Sequence, residues 1–129
     1  MTAPLEEPPF VLDAARVVRY AALDLGAPGV APSFVVNGVP MDRANLARVA
    51  IAEALLDGAI FLLHCTERWE TVSASDHSDL ASAERAAAST YGAALAGWTE
   101  YRALTEDEQR EIQTTRSFLQ ELAAEEFGG

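Results

Sequence analysis

The sequence predicts an α+β domain: a mostly antiparallel sheet of about four to six strands, one helix packed on it and a longer acidic C-terminal helix. Three observations carry that prediction. From Ala59 the run A-I-F-L-L-H-C-T-E-R-W-E-T-V-S reads as an apolar strand, a tight polar connection and a second strand entered through Trp69. From Ser78 to Gly92 an alanine-rich segment has a polar cap at its start and a glycine at its end, the punctuation of a helix. Thr105-Glu106-Asp107-Glu108 is a capping box that opens a second, longer helix.

Composition narrows the class further. The chain has 129 residues, half of them hydrophobic and 22% charged, the balance of a globular protein rather than of a disordered or fibrous one. That length suits one ordinary domain over residues 10–129, behind a lead-in over residues 1–9 that holds three prolines and two glutamates. Acidic residues number 20 against 9 basic ones, for a net charge of −11. Every basic residue is an arginine, which together with abundant Ala and Gly reads as the codon bias of a GC-rich bacterial genome. Nucleic-acid binding through phosphates is disfavoured, because it needs a basic patch. A basic protein partner is electrostatically easier, while the same charge also serves plain solubility. The single Cys65 forms no intrachain disulfide, so a reducing, cytoplasmic compartment is expected. The N-terminus has no basic and apolar leader, and no run of about eighteen apolar residues is present to span a membrane.

In chain order, Phe10 to Leu25 is readable as a helix after Asp13 or as a strand from about Arg16 to Leu23, and Val17, Val18 and Tyr20 favour the strand. G-A-P-G-V-A-P is a loop. Asn37-Gly38 between apolar residues predicts a two-residue hairpin, with Pro40 confining the returning strand to an edge. Asp42 to Gly58 is a helix by propensity, but as a strand it places Val49 and Ile51 on one face and Arg48 on the other. In Ile60 to Cys65, alternation sets Phe61, Leu63 and Cys65 opposite Ile60, Leu62 and His64. Trp69 and Thr71 then share one face of the next strand. Ser78 or Asp79 caps the first helix, whose stripe is Leu80, Ala83, Ala87 and Tyr91, and Gly92 stops it. W-T-E-Y-R-A-L, from Trp98, reads as a further strand. The final helix runs to about Glu126, with Ile112, Thr115, Leu119 and Leu122 at helical spacing and Phe118 beside them. The predicted structural core is Phe61, Leu63, Cys65, Trp69, Leu80, Tyr91 and Trp98.

No complete catalytic or ligand-binding signature is present, and no cofactor is expected. Cys65 beside His64 suggests thiol chemistry, but neighbours on a strand point to opposite faces, which leaves only distant His77 as a base. Asp76, His77 and Asp79 suggest a metal loop, yet neither H-x-x-x-H nor C-x-x-C occurs and the same residues suit a cap and turn. Glu108, Glu111, Phe118, Glu121 and Glu125 of the last helix form the candidate interaction surface, either for a basic protein or for self-association as a homodimer seam.

F-L-L-H-C-T-E-R-W-E-T-V, followed by H-S-D-L-A-S-A-E-R-A-A-A-S-T-Y-G and Trp98, resembles a family of small uncharacterised bacterial proteins. In that family an L-x-x-C-D-E-x-W hairpin precedes a short S-x-x-E-A helix ending in an aromatic residue and a Gly or Pro. Cys65, Trp69, Ala83, Tyr91 and Trp98 match, and Thr66 stands where the family carries an acidic residue. A fainter match through N-G-V-P and R-V-A-I-A-E tips Asp42 to Gly58 towards strand. The resemblance implies a structural hairpin and helix, and some members look like accessory or immunity-type proteins. The expected function is therefore that of a non-enzymatic small acidic interaction protein, immunity- or inhibitor-like or accessory; the alternative is a small-molecule-binding protein or minor enzyme with a pocket between helix and sheet.

Overall fold

A computed structural model describes residues 7–24, 34–36, 39–41 and 46–127. Along these run β1 (Val11–Leu12), β2 (Ala15–Ala22), β3 (Phe34–Val36), β4 (Val39–Met41), β5 (Arg48–Ala54), β6 (Ile60–Cys65), β7 (Thr71–His77), α1 (Leu80–Tyr91), β8 (Thr99–Glu100) and α2 (Glu106–Phe127). The architecture is α+β. The main sheet is antiparallel in the order β1-β2-β5-β6-β7, with β8 pairing β2, and β3 and β4 form a separate two-stranded sheet.

The β1–β2 connection is a two-residue turn in which Asp13 and Ala14 both have positive φ, as a type I′ hairpin demands. An alanine there bears a steric cost that glycine escapes, so the turn has no sequence signature. Arg48–Ala54 is a strand and not the helix that its propensity favours, because it lies between β2 and β6 and buries Val49, Ala50, Ile51 and Ala52 together. That pairing satisfies both backbone edges and outweighs the few tenths of a kcal/mol per residue at stake in helix propensity (~0.5). Asn37-Gly38, the G-A-P-G-V-A-P loop and residues 42–45 lie outside the described residues. The strands on either side of Asn37-Gly38 do pair antiparallel, with Pro40 in register opposite Val35.

A register shift between Val17 and Arg19 inserts one extra residue into β2. The bulge reverses which side of the sheet each parity faces. Ala15, Val17 and Tyr20 consequently share one core with Ala50, Ala52, Leu63, Cys65 and Trp69, with Phe61, Leu12 and Tyr101 partly buried against them. Ala21 sits in the other core with Val49, Ile51, Leu62, Ala83, Ala87 and Tyr91, against which Leu80 and Trp98 pack partly buried. The two clusters occupy opposite faces of the sheet, and α1 covers the second. Its small residues Ala83 and Ala87 are fully buried, which lets the helix lie close on the strands.

Trp69 is buried but does not lie on β7, which starts at Thr71. It occupies the turn before that strand with φ 63, and its amide donates to Thr66 O at 3.0 Å. Asp76 and His77, read as a loop, are instead the end of β7. Asp79, not Ser78, caps α1 through a 2.8 Å bond from the Ser82 amide. The lead-in expected to join the fold near Phe10 is already tied down at Pro8, which is buried and whose carbonyl accepts the Tyr101 hydroxyl at 2.8 Å. Among the described residues no helix is long and apolar enough to cross a membrane.

Candidate functional site

The capping box places α2. Thr105 N–H donates to Glu108 Oε1 at 2.9 Å and Glu108 N–H to Thr105 Oγ1 at 3.1 Å, satisfying two amides that a helix start leaves open. Arg102 adds a two-pronged ion pair to the same carboxylate, at 2.7 and 2.8 Å. The Arg102 guanidinium, with the Thr105 bonds second, holds the Glu108 carboxyl down at about 2. Glu108, expected on an interaction surface, is thus engaged within its own chain.

Beyond that start, α2 crosses the end of the β2–β5 pair. Ile112 is buried, and Arg116 donates its Nε–H to the Leu55 carbonyl at 2.9 Å. The C-terminal half then leaves its apolar stripe incompletely covered: Phe118 is 58% and Leu122 45% exposed. These residues are one turn apart on one side of the helix. At 100° per residue, Glu111 and Glu125 fall within the same arc and Glu121 beside it. The basic side chains of α2 are Arg110 and Arg116; the first pairs with Asp107 at 3.1 Å and the second reaches Leu55. The last turn of α2 carries no basic residue, so the negative end of the helix dipole coincides with glutamates. The exposed arc is an aromatic knob within uncompensated negative charge.

The side chains that suggested chemistry are separated. His64 lies on the α1 face and Cys65 in the opposite core. Burial, opposed by a bond to Thr71, pushes the Cys65 thiol up to about 12, so the nucleophilic thiolate is scarce at neutral pH. Iodoacetamide is expected to leave Cys65 of the folded protein unlabelled at neutral pH and to label it in urea, by intact mass; stoichiometric labelling without urea would contradict this burial. His77 hydrogen-bonds the Ser75 hydroxyl at 2.9 Å, Asp76 is exposed and Asp79 caps α1. Among the described residues no group of three or more His, Cys, Asp or Glu side chains is placed to hold a metal ion.

Sequence reading missed one buried polar pair. His64 Nδ1 and the Tyr91 hydroxyl are hydrogen-bonded between β6 and α1, while His64 Nε2 is buried without a partner. Desolvation, with a smaller contribution from His77, lowers the His64 imidazole to about 4, and burial raises the Tyr91 phenol. Both groups are therefore neutral over the physiological range. The pair joins helix to sheet.

A scan of protein-family models, a search of curated proteins and a search of solved structures returned no match to this chain.

Proposed function

We propose that the protein is a non-enzymatic interaction protein that docks a basic partner through the acidic, C-terminal half of α2. The observation that carries this reading is the exposure of Phe118 and Leu122 among Glu111, Glu121 and Glu125. An exposed aromatic beside an aliphatic neighbour is the composition of an interface centre, and the glutamates form a charged rim. Charge selects the partner. Two copies of this face set glutamate against glutamate, whereas a surface rimmed by Lys or Arg neutralises both the side chains and the end of the helix dipole. The net charge of −11 steers such a partner towards the chain from a distance. The resemblance to small acidic accessory proteins points the same way.

Phe118→Asp is the decisive variant. Phe118 is largely exposed, so unfolding stability is expected to stay within about 0.5 kcal/mol of the parent. Pull-downs from the source lysate at low salt are expected to retain a protein with a basic surface on the parent and to lose it on the variant and at high salt. An identical captured set on parent and variant would overturn the reading. So would light scattering that gives twice the 13.8 kDa chain mass for the parent and the single mass for the variant, because the face would then be a self-association seam.

A further inference from the structure

Arginine is scarce in this chain: of the eight among the described residues four are held by carboxylates or an aromatic ring, and Arg68 and Arg85 are exposed without such a partner. Among the described residues, Arg19, Arg102 and Arg110 are ion-paired, and Arg48 lies over the Trp69 ring with its guanidinium carbon 5.2 Å from the centroid. Arg16 and Arg116 have no carboxylate partner among those residues, although Glu53 is in register opposite Arg16 on β5. They come from elements 100 positions apart in sequence (116 − 16), and they line one cleft of about 280 Å³ between the start of β2 and the first half of α2. Gln109 and Gln113 add amide groups to its wall, and Leu104 and Ile112 an apolar surface. Among the described residues no acidic side chain lines it.

We propose that this cleft binds a small organic anion, a carboxylate or phosphate monoester with an apolar body. Guanidinium groups present paired N–H donors that match both oxyanions. Arg116 is held in place by its Nε–H bond to Leu55 O, which orients the guanidinium before a ligand arrives. The apolar body lies on Leu104 and Ile112. Size and charge both limit the ligand. The volume lies just below the range usual for ligand pockets, about 300–1,000 Å³, so the body is no more than a few carbon atoms or one ring. A polyanion such as nucleic acid meets the acidic remainder of the surface, whereas a monoanion inside the cleft meets two guanidinium groups against one nearby carboxylate, that of Glu53 opposite Arg16, with more distant charges screened. By helical periodicity Gln109, Ile112, Gln113 and Arg116 lie on the side of α2 away from Phe118, so this site is separate from the docking face and does not depend on it.

The test is a titration of the full chain, followed by NMR at the Ile112 methyl groups and the Gln109 and Gln113 side-chain amides, with benzoate, phenyl phosphate and neutral benzamide as probes. At least one anion is expected to give saturable shifts at these positions and benzamide none; the stronger anion identifies the ligand's head group. Arg16→Gln is expected to weaken binding about tenfold, with an unchanged amide spectrum elsewhere, because the Arg16 side chain makes no hydrogen bond to another described residue. Arg116→Gln should weaken it at least as much, but it also cuts the tie to Leu55. Absence of saturable shifts with both anions, equal shifts with benzamide, or undiminished binding by Arg16→Gln would each overturn the proposal.

Discussion

Replacing Trp69 by alanine is expected to remove about 3–5 kcal/mol of stability, a large part of the 5–15 kcal/mol typical of a whole domain (roughly). Trp69 is 5% exposed. It meets Tyr20 edge-on with centroids 5.8 Å apart and takes the Arg48 guanidinium on its face. Loss of the indole therefore opens a cavity over the sheet face shared by β2, β5 and β6 and strips Arg48 of its π partner. The backbone adds a finer expectation. At φ 63 any L-residue is sterically disfavoured and glycine is not. Trp69→Gly should accordingly be more stable than Trp69→Ala by about 1 kcal/mol, the reverse of the order seen within strands and helices. Urea unfolding of the two variants reads both effects. A loss below about 1 kcal/mol for alanine would mean that the ring is not buried in solution, and a glycine variant less stable than alanine would refute the left-handed turn.

Acidification is expected to cost about 3 kcal/mol through His64 alone, from the difference between 6.5 unfolded and about 4 folded. The folded value is the lower one, so the unfolded chain binds the proton first. Stability from this source is fully present above pH 6.5, falls as the pH drops through the window from 6.5 to 4, and falls no further below it. The cause is burial of the imidazole against Tyr91, with Nε2 lacking any acceptor for an added proton. The double variant His64→Leu with Tyr91→Phe removes the titrating ring together with its hydroxyl partner. Its unfolding free energy should be nearly level across that window, apart from the slope due to carboxylates. A parent slope that survives in the double variant would assign the acid sensitivity to other groups.

The hydrophobic alternation of Ile60–Cys65, the Thr105-to-Glu108 box and the stripe Ala83, Ala87 and Tyr91 were readable because each is local: a side chain and its partner, or a face and its period, lie within a few residues. Arg48–Ala54 was less so. Its three alanines and Glu53 favour a helix in isolation, and only pairing with β2 and β6 makes it a strand. The β1–β2 turn was hidden because Asp13 and Ala14 adopt positive φ without a glycine, and the bulge at Val17–Arg19 leaves no mark in the residue pattern. Trp69 was recognisable as a core anchor, yet not as a turn residue.

The candidate site divides along the same line. Acidity and the Phe118–Leu122 spacing are properties of the residues themselves, and they suffice to nominate α2 as a face for a basic partner. Tertiary structure decided which of its glutamates are free: Glu108 is held by Thr105 and Arg102, while Glu111, Glu121 and Glu125 flank an uncovered apolar arc. It also brought Arg16 to Arg116 and His64 to Tyr91. The sequence by itself determined the class of fold, the net charge and the helix boundaries, because propensity, capping and charge act at short range. The pairing of the central strands, the burial of His64 and the cationic cleft came only from tertiary structure, because each depends on groups that chain folding brings together from distant positions, and no local preference encodes that distance.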